Sequence, residues 1–207
     1  FSRDCLIIGI GGGIVCDISG FAAATYQRGV DFFLMPTTLL SQVDASVGGK
    51  TAINHPKGKN MIGAFHQPLG VLADLAFLST LPKREISCGL SEMIKHGLIR
   101  DISYFSWLEE NIEQIIELDS KVTEEAVSRS IKIKAEIVRE DEKEKSIRAL
   151  LNFGHTFGHA LELIGDFKNY NHGEAVAIGM IMALEISVRI GNITQQDSER
   201  VKQLLNR

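Results

Sequence analysis

The stretch LNFGHTFGHA, residues 151–160, sets His155 and His159 four positions apart. On a helix that spacing puts both imidazoles on one face, where they can share an ion. Two further places offer ligands: Glu92, which opens EMIKH and brings Lys95 and His96 one helical turn on, and His172, which opens HGEAVAIGM. A carboxylate and two imidazoles with a fourth position open is the usual layout of a catalytic zinc site. The spacing by itself favours His155 and His159 as joint ligands. It is the spacing of zinc proteases, but the Glu that follows the first His there is absent, because the sequence reads H-T-F-G-H. Without that base, peptide hydrolysis is strongly disfavoured. The residues alone leave open a second reading, in which both histidines are core residues bonded to backbone. His55, His66 and His96 have no such company and read as ordinary packing or surface residues.

Two other segments have binding chemistry. IIGIGGGIVCD (7–17) has the order strand, glycines, helix start. Such a turn lets backbone N–H groups and a helix N-terminus approach a phosphate. From Gly9 the spacing runs G-x-G-x-x-I, ending on Ile14, so the dinucleotide fingerprint is not met, and a tight structural turn explains the residues equally well. The segment 36–65 is poor in core residues and carries Lys50, Lys57 and Lys59, with Asp44, Asn54 and Asn60 among them. It reads as a long polar loop for an anionic or polyhydroxylated ligand, the alternative being a solvated excursion.

The elements that must position these groups differ between the two ends of the chain. CLIIGI (5–10) is a continuous apolar run suited to a parallel strand covered on both faces. A small-residue helix over 15–27 and a strand FFLM (32–35), stopped by Pro36, complete a βαβ unit. Beyond residue 80 the apolar period is helical. Pro82 marks a helix start, 84–99 and two further stretches are amphipathic, and 172–191 is apolar nearly all round, which predicts a buried helix closed by Gly191. The expected architecture is a Rossmann-like α/β half, residues 1–80, followed by an all-α half, residues 81–207, with the site between them.

Bulk properties narrow the function. A net charge of −4 disfavours nucleic acid, which demands a cationic face. The acidic run EDEKEK (140–145) reads as a solvated helix end. No apolar run reaches the roughly 18 residues of a membrane span, and the start shows no signal-peptide pattern. Three cysteines without CxxC spacing fit a reducing cytoplasm and small packing roles. A buried strand at residue 5 with no strand before it is expected of a chain that lacks its first βα units.

Four blocks, GGGIVCDISGFAAATYQRG, PTTLLSQVDASVGGKTAINHPKGKNMIGAFHQP, LPKREISCGLSEMIKHG and KAEIVREDEKEKSIRALLNFGHTFGHALE with NHGEAVAIGM, together resemble the 3-dehydroquinate synthase family, in order from about residue 9 to 185. The resemblance implies a dehydroquinate synthase-like fold and the second step of the shikimate pathway. There the phosphorylated seven-carbon keto acid DAHP becomes 3-dehydroquinate and phosphate, by transient oxidation at C5 with NAD, β-elimination, reduction and an intramolecular aldol closure. It implies a divalent metal, zinc or cobalt, on Glu92, His155 and His172, which removes His159 from the ligand set. The family's cationic contacts to the substrate fall on Lys50, Lys95, Lys134 and Arg148, and its polar contacts on Asp44, Asn60, Asn152 and His159. Arg28 would reach a neighbouring subunit's phosphate pocket, which implies a homodimer. The cofactor would lie along Gly13, Ile14, Val15, Cys16 and Asp17, with Thr37, Thr38, Lys50, Lys59 and the turn Phe77, Leu78, Ser79, Thr80. Since the substrate's own phosphate is thought to assist proton removal, no dedicated base is required.

The sequence departs from the family at Ser146, commonly Gly, which bears on loop geometry more than chemistry. The family's adenosine-ribose region and a C-terminal phosphate-contacting lysine have no counterpart, so 207 residues alone are expected to bind NAD poorly and to release little phosphate. A relative such as 2-deoxy-scyllo-inosose synthase, a metal-dependent polyol dehydrogenase and a non-catalytic metal-binding module are the alternatives. Lys134 and Arg148 favour a substrate bearing both carboxylate and phosphate.

Overall fold

The computed structural model describes residues 1–55, 58–165 and 169–207, with the side chain of Lys59 also outside the description. The chain opens with β1 (Leu6–Gly11), α1 (Gly13–Thr25) and β2 (Asp31–Pro36), the βαβ unit expected. β1 and β2 run parallel in register from Leu6 opposite Asp31 to Gly11 opposite Pro36. The short β5 (Gly70–Val71) joins the far side of β2, giving the order β1-β2-β5. Val30, Phe32 and Leu34 bury one face of β2 with Cys16 and Ala23 of α1. Gly9 allows this packing, because a Cβ there would stand 2.5 Å from Ser19 Oγ on α1. β1 is covered on one face only. Leu6, Ile8 and Ile10 are 49–55% exposed, whereas the apolar run predicts cover on both.

The polar segment after β2 is not a loop. A π-helical turn over Ser41–Ala45 is followed by an antiparallel hairpin of β3 (Lys50–His55) and β4 (Gly58–Phe65), from Lys50 opposite Phe65 to His55 opposite Gly58. Met61, Ile62 and Phe65 are exposed, so its strands show no buried apolar alternation. The hairpin instead lies against α1 by small-residue contact, since a Cβ on Gly20 would stand 2.2 Å from Thr51. Lys57 lies outside the described residues.

The rest is helical: α2 (Lys83–Arg100), α3 (Ile102–Ile116), α4 (Ser120–Glu140), α5 (His155–Ile164), α6 (His172–Arg189) and α7 (Gln195–Leu205). Asp101 and Asp119 cap α3 and α4 by accepting first-turn N–H groups, and Asn171 with Glu174, like Thr194 with Asp197, forms a capping box. Met93, Tyr104, Leu108, Ile115 and Ile137 bury a continuous core. Each such side chain stabilises the fold by about 1.5–3 kcal/mol. Leu39, just before the π-helical turn, Val43 within it, and Leu78 join the same core and tie the sheet to the helices. α6 is buried on one side only: Val176, Met180 and Leu184 face inward, while Met182 and Ile186 are 40% and 45% exposed. Its alanines and glycines make it apolar by composition without making it a core helix. Gly191, at φ 76°, closes it as expected. No described helix is long and apolar enough to cross a membrane.

Candidate functional site

Residues from four helices and from the segment after β2 converge below the end of the sheet. α2 presents Glu92, Lys95 and His96 on buried turns, at 0, 1 and 0% exposure. Lys95 Nζ contacts Glu92 Oε2, an i,i+3 pair wholly out of solvent. The other oxygen, Glu92 Oε1, is buried with no hydrogen-bond partner. Facing it are His155 Nε2 at 3.6 Å and His172 Nε2 at 3.7 Å. The ligand atoms of Glu92, His155 and His172 all lie within 4.8 Å of one another. An unpaired buried carboxylate oxygen costs of the order of kcal/mol. Two imidazole nitrogens aimed at it offer no repayment while all three are hydrogen-bond acceptors. A divalent cation satisfies all three at once, so the residues present fit a metal ion.

Local structure explains the aim of each converging side chain. Gly154, at φ 79°, turns the chain so that α5 starts at His155, and His155 Nδ1 lies 3.2 Å from Phe153 O. Burial, then the positive charge of Lys95, pushes the His155 imidazolium down to a pKa of about 4, so at neutral pH its ring is uncharged and able to ligate. His172 is the first residue of α6, whose capping-box Glu174 is gripped by Arg84 through Nε and Nη2, both at 2.6 Å. Gly173 lets α6 meet α2, for a Cβ there would fall 2.4 Å from Cys88 Cα. His159 sits one turn along α5, its ring 5.3 Å from that of His155 and 6.3 Å from that of His172. It is not part of the three-residue group.

Beside the triad lies a layer of charge. Lys134 of α4 donates to Asp44 Oδ1 and to its carbonyl oxygen, both at 2.6 Å. Burial alone would raise the Asp44 carboxyl, but Lys134, Lys95 and His96 hold it well below the usual range. Burial pushes the Lys134 ammonium down, against the pull of Asp44. His96 is more than packing. It stands with Asp44 and Glu92, its Nδ1 2.8 Å from Ser130 Oγ and its buried Nε2 without a hydrogen bond.

Arg148, 1% exposed, threads toward this layer. Its Nη2 donates to Gly48 O at 2.9 Å and its Nη1 to Glu142 O. Gly48, at φ 110°, is required there, because a Cβ would lie 2.6 Å from that Nη2. The acidic run is the solvated helix end expected, with Glu140, Glu142, Lys143 and Lys145 exposed, but its Asp141 and Glu144 turn toward the site. Asp141 accepts the N–H groups of Lys145, Ser146 and Arg148. Glu144 meets Lys50 and accepts from Asn152 Nδ2 at 2.7 Å. Lys50 and Asn152 thus share the Glu144 carboxylate, whose charge also acts on Arg148. Sequence reasoning missed Glu144 because a charge run has no periodicity that marks an inward member.

The structure leaves some expected residues apart. Asn60, exposed and at φ 55°, lies five positions along β4 from Phe65, roughly 15 Å from the hairpin's base. Arg28 is exposed on the turn after α1 at φ 73°. The Leu78 side chain points into the helical core, and Ser79 and Thr80 bond their own turn through Ala76 O and Phe77 O, so this turn can offer a ligand chiefly backbone.

At the glycine turn, Gly12 is an N-cap without a side-chain cap, at φ −76°, so its role is steric openness and not left-handed backbone. Ile14 and Val15 are exposed in the first turn, and the Cys16 thiol is buried against Gly11 O. Thr37 N–H donates to Gly11 O at 2.9 Å, and Thr38 approaches Gly12, placing both threonines beside Gly13 at the carboxyl ends of β1 and β2.

Asp17 follows, its carboxyl pushed up to about 6 by burial and then by Asp44. A carboxyl whose folded value exceeds its ordinary 3.8 supports the fold below that value and loses this support as pH rises to about 6. Asp17→Asn is therefore expected to melt a few degrees above the parent at pH 7 and level with it at pH 4, in thermal melts across that range.

An apolar cavity of about 360 Å³, lined by Leu98, Ile102, Phe105, Leu184 and Val201, lies apart, and none of the clustered groups reaches it.

Residues 1–88 match the family model for the 3-dehydroquinate synthase N-terminal region, and residues 89–207 the model for its C-terminal region. Among solved structures, the chain is similar to 2-epi-5-epi-valiolone synthase from Streptomyces hygroscopicus subsp. jinggangensis 5008, which holds NAD+ and Zn2+. Identity is 31% and the TM-score 0.89, over 96% of this chain and 56% of that one. It is also similar to 2-deoxy-scyllo-inosose synthase complexed with carbaglucose-6-phosphate, NAD+ and Co2+, at 33% identity and a TM-score of 0.88, over 100% and 57%. A glycerol dehydrogenase from Schizosaccharomyces pombe shares the fold at 18% identity and a TM-score of 0.72, over 100% and 56%. The chain spans a little over half the length of these solved relatives.

Proposed function

Because the chain belongs to the 3-dehydroquinate synthase family, we propose that it carries the metal and substrate machinery of a sugar phosphate cyclase, and that the substrate is DAHP. In this reading residues 1–80 hold part of an NAD site and residues 81–207 the metal and most of the substrate contacts. Zinc or cobalt would be held by Glu92, His155 and His172. The observation that carries the reading is the orphaned Glu92 Oε1 facing two imidazole nitrogens beside Lys95, Lys134 and Arg148.

When bound, NAD supplies a hydride acceptor and donor at C5, and the metal polarises the neighbouring hydroxyl oxygens. The chain's own groups do the rest. Lys95, held by Glu92, and Lys134, held by Asp44, keep fixed positive charge next to the metal ligands, preorganised for an anion without reorganisation during reaction. Arg148, anchored on two carbonyls, and Lys50 with Asn152 supply a second anion-binding subsite, in which the Glu144 carboxylate engages Lys50 and Asn152. His159, on the same helix face as His155, is assigned to the phosphate side of the ligand. DAHP carries a carboxylate as well as a phosphate, and two separated cationic groups suit it better than a neutral-headed sugar phosphate. Arg28, at an exposed turn, is assigned to a second subunit of a homodimer, and the unpaired cysteines suit work in the cytoplasm.

The test is phosphate release by the full-length protein with NAD and Co2+, comparing DAHP with glucose 6-phosphate. DAHP is expected to turn over without net NADH accumulation. Preference for glucose 6-phosphate assigns the 2-deoxy-scyllo-inosose synthase reaction instead, and stoichiometric NADH assigns a polyol dehydrogenase.

A further inference from the structure

The histidines of the candidate centre each have an outer ring nitrogen, and the two are tied differently. His155 Nδ1 rests 3.2 Å from a backbone carbonyl, that of Phe153. His172 Nδ1 faces a side chain, Glu162 Oε1, at 3.5 Å, while its Nε2 faces Glu92. Glu162 is 4% exposed, on the third turn of the helix that His155 begins. A carboxylate so buried is costly unless its charge is matched, and the His172 ring stands between it and the Glu92 carboxylate. With the metal ligands as read above, we propose that Glu162 is the positioning residue of the centre. It accepts the Nδ1–H of His172, so that the ring is held in one tautomer with its Nε2 lone pair directed at the ion.

The geometry favours this role over simple packing. His172 is the first residue of α6, where backbone contacts alone leave the ring free to rotate about χ2, and its side chain is 29% exposed. Glu162 approaches from a different helix, so the contact fixes the ring against α5 and not merely against its own turn. Carboxylate partners of ligating histidines raise ligand basicity and orient the ring, and their loss typically lowers metal affinity about 10–100-fold. On α5 the spacing His155, His159, Glu162 keeps all three on one face. One short helix would thus serve the ion twice, directly at its start and through His172 two turns later.

The test uses the full-length protein, stripped of metal and titrated with Co2+ against a chromophoric chelator, with the visible Co2+ spectrum recorded at saturation. Glu162→Gln keeps an acceptor and the volume but loses the charge, so about tenfold weaker binding is expected. Glu162→Leu removes the acceptor, and about a hundredfold loss with an altered Co2+ spectrum is expected. Far-ultraviolet circular dichroism of the metal-free proteins checks the fold. If E162L does not fold, E162Q decides by its affinity. Parent-like affinity and spectrum in E162Q, or in a folded E162L, would overturn the positioning role while leaving the metal site in place. Failure of the parent itself to bind one Co2+ would overturn the ligand assignment together with it.

Discussion

His155→Ala, in the full-length protein, is expected to lose its bound metal and at least about a thousandfold in turnover, whereas His159→Ala keeps one metal per chain. The first substitution removes one of the three proposed ligands, which converge where Glu92 Oε1 is otherwise unpaired. The stabilisation a metal gives to developing charge is several kcal/mol, and each 1.36 kcal/mol is a factor of ten in rate. His159 lies outside the group of converging ligand atoms, with its ring 5.3 Å from that of His155. If it serves one charged oxygen of the substrate, its loss costs about 1.5–3 kcal/mol, or roughly 10–100-fold in turnover. Metal content by atomic absorption and phosphate release, measured on the same samples, separate the two. A metal-free His159→Ala protein would restore the paired-ligand reading that the spacing alone suggests.

The second large effect concerns stability. Lys134→Met strands Asp44 without its principal partner at the edge of the buried charge layer. Breaking a buried pair costs 3–5 kcal/mol, and the lower end applies because Asp44 keeps 24% side-chain exposure. A loss of about 3 kcal/mol lowers the melting temperature by roughly 6–12 °C for a chain of this size. The double variant Asp44→Asn/Lys134→Met removes the stranded charge and should recover most of that loss, though not activity. Equal melting temperatures for the single and double variants would show that the pair is not coupled.

These expectations rest on contacts that the sequence revealed unevenly. The βαβ start and the long helices were legible because burial imposes a period, two or 3.6, that composition cannot hide. Cover was not. β1 and α6 are apolar along their length, yet Ile8 and Ile186 stand exposed, since a run of apolar residues states what can be buried and not what lies opposite. The hairpin over residues 50–65 was hidden for the converse reason. It packs through Gly20 against Thr51, and its large apolar side chains Met61, Ile62 and Phe65 stand exposed, so no buried alternation marks the strands. At the site, spacing alone pairs His155 with His159, whereas the structure groups it with residues from other helices. The atoms that converge with it are those of His172, 17 residues downstream, and of Glu92 on α2, and only the tertiary fold sets such distances. Glu144 and Glu162 were illegible because each gains its role from one inward rotamer against a partner remote in sequence or on another helix.

Crystals of the full-length protein soaked in Co2+, with anomalous difference density recorded at the cobalt edge, test the central claim most directly. One peak is predicted, at coordination distance from Glu92 Oε1 and the Nε2 atoms of His155 and His172, with His159 outside its coordination shell. A peak ligated by both His155 and His159, or cobalt density that avoids Glu92, would contradict the metal-centred site on which the proposed chemistry depends.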